Sequence, residues 1–361
     1  MRVKLKDAFN LQMGKTPSRA DLSMWGGNNK WISIADIGSA KKYISSTKEC
    51  ITDEGVSRSG IKVVPEGTVI MSFKLSIGKT AIVSEDMYTN EAIMAFIDNG
   101  TYCIDPNYLY HLCCGTDWTQ GGNKAVMGLT LNKATLSEME IELPTIEEQR
   151  EIASKLDQLD AIIEKRHDEL NMIEQLVKSR FIELFDGKGY PTLKWNDVFN
   201  TTTGKLDSNA MVENGAYPFF TCAKEVFRID KYAFDQEALL LAGNNAAGKY
   251  DVKYYKGKFN AYQRTYVLGL KEDWSYQLFR YQLEDKLVYL QQQSLGGLTK
   301  YLTLKILGEL EFIVPPMDKQ NEFAAFVEQT DKSKYFACQT LSFLLKLANN
   351  LQSWREKQYD Y

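Results

Sequence analysis

The chain is poor in the residues that build most catalytic and metal centres. Its 361 residues include only two histidines, six cysteines and eight prolines. Neither a histidine-rich metal site nor a His-Cys-Cys zinc site can be assembled from His111 and His167, which are predicted to be a core residue and a solvated helical residue, respectively. The cysteines form no Cys-x-x-Cys pair and are too sparse for a disulfide framework, which predicts reduced thiols in a cytoplasmic protein.

Long apolar runs and excess positive charge are also missing. No stretch approaches the roughly 20 apolar residues of a membrane span, and the first residues lack the apolar core of a signal peptide. The formal net charge of −4 excludes a uniformly basic nucleic-acid binder, so any DNA affinity must come from local patches or from a partner. The hydrophobic content of 44% is ordinary, and the length suits two or three domains.

Motifs for nucleotide chemistry are incomplete. Gly78-Lys79-Thr80 resembles the end of a P-loop, but Phe73 stands where the first glycine is required. Asp105-Pro106-Asn107-Tyr108 is one residue away from the Asp-Pro-Pro-Tyr motif of amino-methyltransferases, but no strand with a Gly-x-Gly turn precedes it to bind a cofactor. The sequence therefore predicts no catalytic residues and no metal site, and a chain that is not itself an enzyme.

An internal repeat divides the chain into two halves. The segment from Pro144 to Asp160 recurs from Pro315 to Asp331, with Pro, Gln, Glu, Ala, Gln and Asp at matched positions. The repeat extends upstream, because Gly14-Lys15 matches Gly204-Lys205 within the pattern Asp-x-Phe-Asn-x-x-x-Gly-Lys. Gly-Lys pairs at 78–79 and 248–249, followed by Asn90 and Asn260, also match. The order predicted is domain, helix, domain, helix.

Both repeated segments begin long helices with apolar residues at alternating spacings of three and four. This periodicity predicts a coiled-coil seam, which is weaker in the second helix because Thr330 and Lys334 occupy core positions. Antiparallel pairing is expected, since the second domain can then join the two helices without a long linker. The alternative is that each helix packs separately on its own domain. The predicted seam residues are Ile152, Leu156, Leu159, Ile163, Leu170, Ile173, Val177, Phe323, Val327, Leu341, Leu344 and Leu351.

The predicted fold is therefore α+β, with two mixed, strand-rich domains separated by two long helices in an antiparallel coiled coil with approximate twofold symmetry. Short apolar runs bounded by glycine or charge predict strands at 67–73, 81–83, 140–143, 238–242 and 265–268. Helical spacing occurs at 106–114 and 274–290. The expected boundaries are 1–143 and 187–314 for the domains, and 144–186 and 315–361 for the helices.

The order of these motifs resembles the specificity (S) subunit of Type I restriction–modification systems along nearly the whole chain. The segments that carry the resemblance are 14–18, 31–37, 67–73 with 78–79, 257–264, and the Pro-x-x-x-x-Gln openings of both helices at Pro144/Gln149 and Pro315/Gln320. One departure is Glu91, since glutamine often follows the Asn90 position in this family.

The resemblance implies two target-recognition domains, each reading one half of a bipartite double-stranded DNA sequence. The helices would act as a ruler and as a dock for two methyltransferase (M) subunits, which bind S-adenosylmethionine and methylate adenine. Restriction (R) subunits would add translocation and cleavage with ATP and Mg. This chain would bind no cofactor, would not contact a membrane and would be cytoplasmic. A two-headed coiled-coil scaffold that binds protein or glycan remains the alternative.

Candidate DNA contacts lie in glycine-flanked polar segments, because loops on a rigid sheet can enter a groove. Lysine and arginine would bind phosphates, while asparagine and glutamine can bond adenine and arginine can bond guanine. For the asparagines at 123, 244 and 245, the alternative is a purely structural role in turns. Since the two domains differ in detail, we expect two different half-site sequences. The candidates are Ser72, Lys74, Lys79, Asn123 and Lys124 in the first domain, and Asn244, Asn245, Lys249, Gln263, Arg264 and Lys300 in the second.

Overall fold

The computed structural model describes residues 1–74, 76–118, 131–246, 248–297 and 299–357, with side chains up to residue 348. It divides into two units, one formed by Met1–His167 with Gln339–Tyr361 and the other by Asp168–Cys338. Each of the two long helices contributes residues to both units.

The first unit contains a five-stranded sheet of order β2-β9-β6-β7-β4, a three-stranded sheet of order β5-β3-β8 and the pair β1-β10. Its strands are β1 (Arg2–Lys4), β2 (Phe9–Met13), β3 (Trp25–Ile32), β4 (Tyr43–Ile44), β5 (Glu49–Ile51), β6 (Val69–Ser72), β7 (Thr80–Val83), β8 (Tyr88–Thr89), β9 (Ile93–Asp98) and β10 (Glu140–Glu142). Its short helices are α1 (Leu5–Ala8), α2 (Ile34–Ser39), α3 (Asp53–Ser59), α4 (Pro106–Gly115) and α5 (Lys133–Glu138), and the long helix α6 (Ile146–Phe185) follows.

The second unit contains a six-stranded sheet of order β12-β18-β15-β17-β13-β14 and the pairs β11-β20 and β16-β19. Its strands are β11 (Thr192–Lys194), β12 (Phe199–Thr203), β13 (Tyr217–Phe220), β14 (Phe227–Ile229), β15 (Phe234–Ala242), β16 (Asn244–Asn245), β17 (Val252–Ala261), β18 (Thr265–Leu270), β19 (Lys300–Tyr301) and β20 (Glu311–Ile313). Its helices are α7 (Trp195–Val198), α8 (Tyr276–Asp285), α9 (Leu287–Gln293), α10 (Leu304–Gly308) and the long α11 (Met317–Lys357).

Both units are built around the same four antiparallel strands. The order β2-β9-β6-β7 of the first unit recurs as β12-β18-β15-β17 in the second. Each sheet also includes parallel pairing, between β4 and β7 in the first unit and between β13 and β17 in the second. The predicted strands at the short apolar runs and the predicted α+β class with long helices are confirmed.

Within the second unit, the end of α6 packs against the beginning of α11. Nη2 of Arg180 lies 2.6 Å from Oε1 of Glu322, and Nζ of Lys334 lies 2.7 Å from Oε1 of Glu174. The residue nearer the end of α6, Arg180, contacts the residue nearer the start of α11, Glu322. The helices therefore run antiparallel in this unit, as predicted. The predicted seam residues are buried or half-buried wherever their side chains are described, and the Leu351 side chain lies outside the described residues.

A buried glutamine anchors α6 to the first unit. Gln149 is 1% exposed, and its amide donates to the carbonyl of Pro144 at 3.0 Å. Its Oε1 accepts the backbone N–H of Asp105, the N-cap of α4, at 2.9 Å. Buried backbone groups need hydrogen-bond partners, and this side chain supplies them. It thereby joins the starts of α4 and α6.

The second unit repeats this arrangement. Gln320 is 1% exposed, its amide donates to the carbonyl of Pro315 at 2.8 Å, and its Oε1 accepts the N–H of Ser275 at 3.0 Å. Ser275 is the N-cap of α8, which follows β18 as α4 follows β9. The repeated Pro-x-x-x-x-Gln motif is therefore a helix-docking device in both halves.

His111 is a core residue of the first unit, as its apolar surroundings in the sequence predict. It is 4% exposed on α4, and its Nε2 lies 2.7 Å from Oδ1 of Asp157 on α6. Burial lowers the pKa of His111, although the contact with Asp157 opposes this shift. The histidine thus belongs to the packing between α4 and α6. His167 lies exposed on α6.

We predict that Gln149→Ala lowers the free energy of unfolding by about 2 kcal/mol or more, because each buried backbone group left unpaired costs about 1–3 kcal/mol. Urea denaturation of the full chain measures the change. Gln158→Ala is the matched control, since Gln158 is an exposed glutamine on the same helix. Equal stability of the two variants would contradict the anchoring role.

Candidate nucleic-acid interface

The second-unit candidates meet where β15 ends and β18 begins. Gly243, directly after β15, donates its N–H to the carbonyl of Arg264 at 2.8 Å and accepts the N–H of Leu302 at 2.8 Å. The ladder between β16 and β19 sets Asn245 opposite Lys300. This geometry gathers residues from three separate segments at one end of the central sheet.

Two further hydrogen bonds, each donated by a backbone N–H group, lie at this surface. The N–H of Lys249 donates to Oδ1 of Asn245 at 3.3 Å, and the N–H of Gln263 donates to the carbonyl of Leu206 at 2.9 Å. All six second-unit candidates are thus brought together, which we call the β15–β18 edge: Asn244, Asn245, Lys249, Gln263, Arg264 and Lys300.

The β15–β18 edge is polar and cationic. Lys249, Gln263 and Arg264 are exposed, and the other candidates at this edge are half-buried. Among the residues that the structure describes, no ion pair engages Lys249, Arg264 or Lys300, so no carboxylate neutralises these three charges. Below them, the hydroxyl of Tyr266 donates to the carbonyl of Leu302 at 3.0 Å, and burial raises the pKa of this hydroxyl. The edge therefore combines positive charge with a hydrogen bond that joins β18 to the segment after β19.

The repeated Gly-Lys motifs have a steric cause. A Cβ atom on Gly204 would overlap the carbonyl oxygen of Ala261, and one on Gly14 would overlap the carbonyl oxygen of Thr89. Only glycine allows the backbones to approach this closely. The lysine that follows each glycine is exposed, and sequence reasoning did not include either lysine, 15 or 205, among the candidates.

Backbone hydrogen bonds establish which residues of the two units are equivalent at this edge. The N–H of Gly14 donates to the carbonyl of Ile93 at 3.2 Å, and that of Gly204 donates to the carbonyl of Thr265 at 3.4 Å. Ile93 and Thr265 also begin equivalent strands, β9 and β18. Counting back from this pair gives the equivalences Ala92 with Arg264, Glu91 with Gln263, and Asn90 with Tyr262.

A second bond supports this alignment. Phe73 donates its N–H to the carbonyl of Ala92 at 3.0 Å, as Gly243 does to the carbonyl of Arg264. Both donors directly follow equivalent strands, β6 and β15. The first unit therefore has an equivalent edge where β6 ends and β9 begins, which we call the β6–β9 edge: Phe73, Lys74, Glu91 and Ala92. Lys74 is the equivalent of Asn244.

The structural alignment corrects part of the repeat read from the sequence. Ser72 donates its N–H to the carbonyl of Lys79 at 2.8 Å, and the equivalent bond runs from Ala242 to Asp251 at 3.0 Å. The connection is longer in the second unit, so Lys79 corresponds to Asp251 and not to Lys249. The match of Asn90 to Asn260 is displaced by two residues for the same reason.

Ser72 is fully buried, at 0% exposure. Its hydroxyl bonds the carbonyl of Ser76 and accepts the N–H of Lys79, the latter at 3.1 Å. The side chain therefore closes the connection between β6 and β7. It has no surface to offer a ligand in this structure, because it points into the unit and its hydroxyl is already bonded.

The other first-unit candidates are less clustered than those of the second unit. Lys74 is half-buried, with Nζ 5.2 Å from the centroid of the Phe73 ring. Lys79 is exposed and lies against Gly38 of α2. Asn123 and Lys124 lie outside the described residues.

Sequence reasoning did not place Glu91 at the edge. Its carboxylate accepts a hydrogen bond from the hydroxyl of Thr16, two residues after Gly14. The sequence did contain one indication that this position is unusual: it has a glutamate where glutamine is frequent in the family that the sequence resembles.

None of the described helices is both long and apolar enough to cross a membrane. Among the described side chains, no three His, Cys, Asp or Glu residues are grouped in a way that could hold a metal ion.

The fold defines a chain with two copies of one α+β domain and two long helices. The chain belongs to the family described as the Type I restriction modification DNA specificity domain, whose model matches residues 1–175 and 188–336. The two matches correspond to the two halves of the internal repeat.

Curated relatives and solved structures agree with this family. The chain is similar to the Type I restriction enzyme EcoDI specificity subunit of Escherichia coli, with 36% identity over 37% of this chain and 30% of the relative. It is also similar to the MjaIX specificity subunit of Methanocaldococcus jannaschii, with 29% identity over 50% of this chain and 43% of the relative. Both matches thus span less than half the length of these relatives.

A solved structure shares the fold across almost the whole chain. The S subunit of a Type I restriction–modification system from M. genitalium superposes with a TM-score of 0.63 at 15% identity, covering 98% of this chain and 94% of that one.

We predict that Gly204→Ala lowers the free energy of unfolding by roughly 1–3 kcal/mol, because the added methyl group overlaps backbone and must displace it. Gly269→Ala is the control, since no atom lies within 4 Å of a Cβ built there. This control is expected to be neutral or stabilising. Thermal unfolding measures both, and a Gly204 variant as stable as the control would contradict the close approach.

Proposed function

We propose that this chain is the non-catalytic DNA-recognition subunit of a Type I restriction–modification complex. Its two target-recognition domains each read one half of a bipartite double-stranded DNA sequence. The observation that carries the proposal is the duplicated family domain, with equivalent edges at the same end of the two sheets, of which the β15–β18 edge is cationic. Lysine and arginine at such an edge can bind phosphates, and amide side chains beside them can read bases.

The proposed target-recognition domains are residues 1–143 and 187–314, and the proposed spacer helices are 144–186 and 315–361. DNA contacts are proposed at the β15–β18 edge and, in the first domain, at Lys74 and Lys79. The helices fix the number of unspecified bases between the half-sites, and the seam residues hold the helices together. Because the residues at the two edges differ, the two half-sites have different sequences.

The proposed partners are two methyltransferase (M) subunits docked along the helices, and restriction (R) subunits in the complete complex. S-adenosylmethionine binds to the M subunits, and ATP with Mg binds to the R subunits, while this chain binds no cofactor. The complex acts in the cytoplasm on double-stranded DNA. Because the chain has a net charge of −4, the M subunits are expected to supply much of the positive surface that holds DNA.

The competing proposal, a two-headed scaffold for protein or glycan, has no specific support. Family membership and the uncompensated lysine and arginine side chains favour a polyanionic ligand. Selection from a pool of DNA separates the two proposals directly.

The test uses the full chain, alone and in complex with its M subunit, and a pool of duplex DNA of random sequence. The complex is expected to enrich one motif with two specified segments separated by unspecified bases. The chain alone is expected to bind more weakly at physiological salt. Absence of a split motif would contradict the proposed function, and equal nanomolar affinity with and without M would refute the partner requirement.

We further predict that Arg264→Ala weakens binding of the selected duplex by roughly 5- to 150-fold, because one arginine contact to DNA is worth about 1–3 kcal/mol. Lys271→Ala is the control. Lys271 is an exposed cation directly after β18, at the opposite end of this strand from Arg264. Fluorescence anisotropy measures both affinities, and an equal loss for the two variants would indicate only general electrostatics.

A further inference from the structure

The equivalent edges of the two units carry different chemistry on the same backbone. The residue before the Ala92/Arg264 pair is Glu91 in the first unit and Gln263 in the second. Both side chains are exposed. Glu91 lies in the short connection between β8 and β9, two residues before β9 begins, and Gln263 lies at the same place between β17 and β18. Because the same backbone hydrogen bonds flank these positions, they present isosteric side chains in the same local frame.

Their hydrogen-bonding capacity differs in a defined way. One oxygen of the Glu91 carboxylate accepts the hydroxyl of Thr16, and its other oxygen accepts no hydrogen bond from the described residues. A carboxylate can only accept, so it bonds to a donor on a ligand. The Gln263 amide, which bonds to no described side chain, both donates and accepts. Glu91 can therefore bind only a hydrogen-bond donor on a ligand, whereas Gln263 can bind a donor and an acceptor that lie side by side.

Base edges in the major groove distinguish these two demands. Cytosine presents the N4 amino donor, which a carboxylate accepts, whereas adenine presents the N6 donor beside the N7 acceptor. A carboxylate facing adenine would repel N7, while an amide bonds N6 and N7 together. Phosphate is excluded as the partner of Glu91, since two negative groups repel.

We propose that Glu91 and Gln263 are equivalent specificity-determining residues, with Glu91 selecting cytosine in one half-site and Gln263 selecting adenine in the other. The proposal rests on the proposed function and adds the identity of one reading position in each domain. Thr16 positions the Glu91 carboxylate, and Lys15 and Lys74 are cations of the same edge region that favour the approach of DNA.

The experiment is selection from random duplex DNA by the chain in complex with its M subunit, in four forms: wild type, Glu91→Gln, Gln263→Glu and Glu66→Gln. Glu91→Gln should change preference at one position of one half-site from cytosine to adenine, by about tenfold. Gln263→Glu should make the opposite change in the other half-site. Glu66 is an exposed glutamate before β6, at the opposite end of this strand from Phe73, and its substitution should leave the motif unchanged.

The outcomes separate this inference from the proposed function. A wild-type complex that selects no split motif contradicts the proposed function itself. A wild-type split motif that is unchanged in both Glu91→Gln and Gln263→Glu overturns the inference alone. The inference is also overturned if either substitution lowers affinity without altering base preference, because that result indicates a structural role.

Discussion

The close approach of a glycine to a neighbouring strand end is the constraint on which each of the two equivalent edges depends. At Gly14 and Gly204 there is no room for a side chain, because the carbonyl oxygens of Thr89 and Ala261 occupy that space. The contact fixes the loop after β2 or β12 against the end of β8 or β17. The backbone on either side of this contact is therefore held in place by the sheet. A fixed backbone holds its side chains in defined positions, which suits recognition of a base edge.

The duplicated scaffold separates what must stay constant from what must vary. The anchoring glutamines, Gln149 and Gln320, and the central strand order are the same in both units. At the edge, by contrast, buried Ala92 corresponds to exposed Arg264, and Glu91 corresponds to Gln263. Such an arrangement lets two domains of one fold discriminate different ligands through side chains alone, since the fold gives both edges the same backbone.

Much of the fold follows from sequence pattern, and the reasons for the misses are physical. Apolar runs predicted β6 and β15 because buried strands need them, and the seam spacing predicted α6 and α11. The buried state of Ser72 could not be predicted, since a serine at a strand end can face either way. The Gly-Lys pairs at 78–79 and 248–249 matched in sequence, but the longer connection after β15 displaces them. Only hydrogen-bond register revealed that Glu91 and Gln263 are equivalent.

Hydrogen–deuterium exchange of the chain in complex with its M subunit, with and without the selected duplex, tests the central claim most directly. The account expects DNA to slow exchange in the peptides around 14–16 and 90–92 of the first unit and around 204–206 and 262–264 of the second. Unchanged exchange in all of these peptides, with protection appearing instead at the opposite ends of β9 and β18, would contradict it.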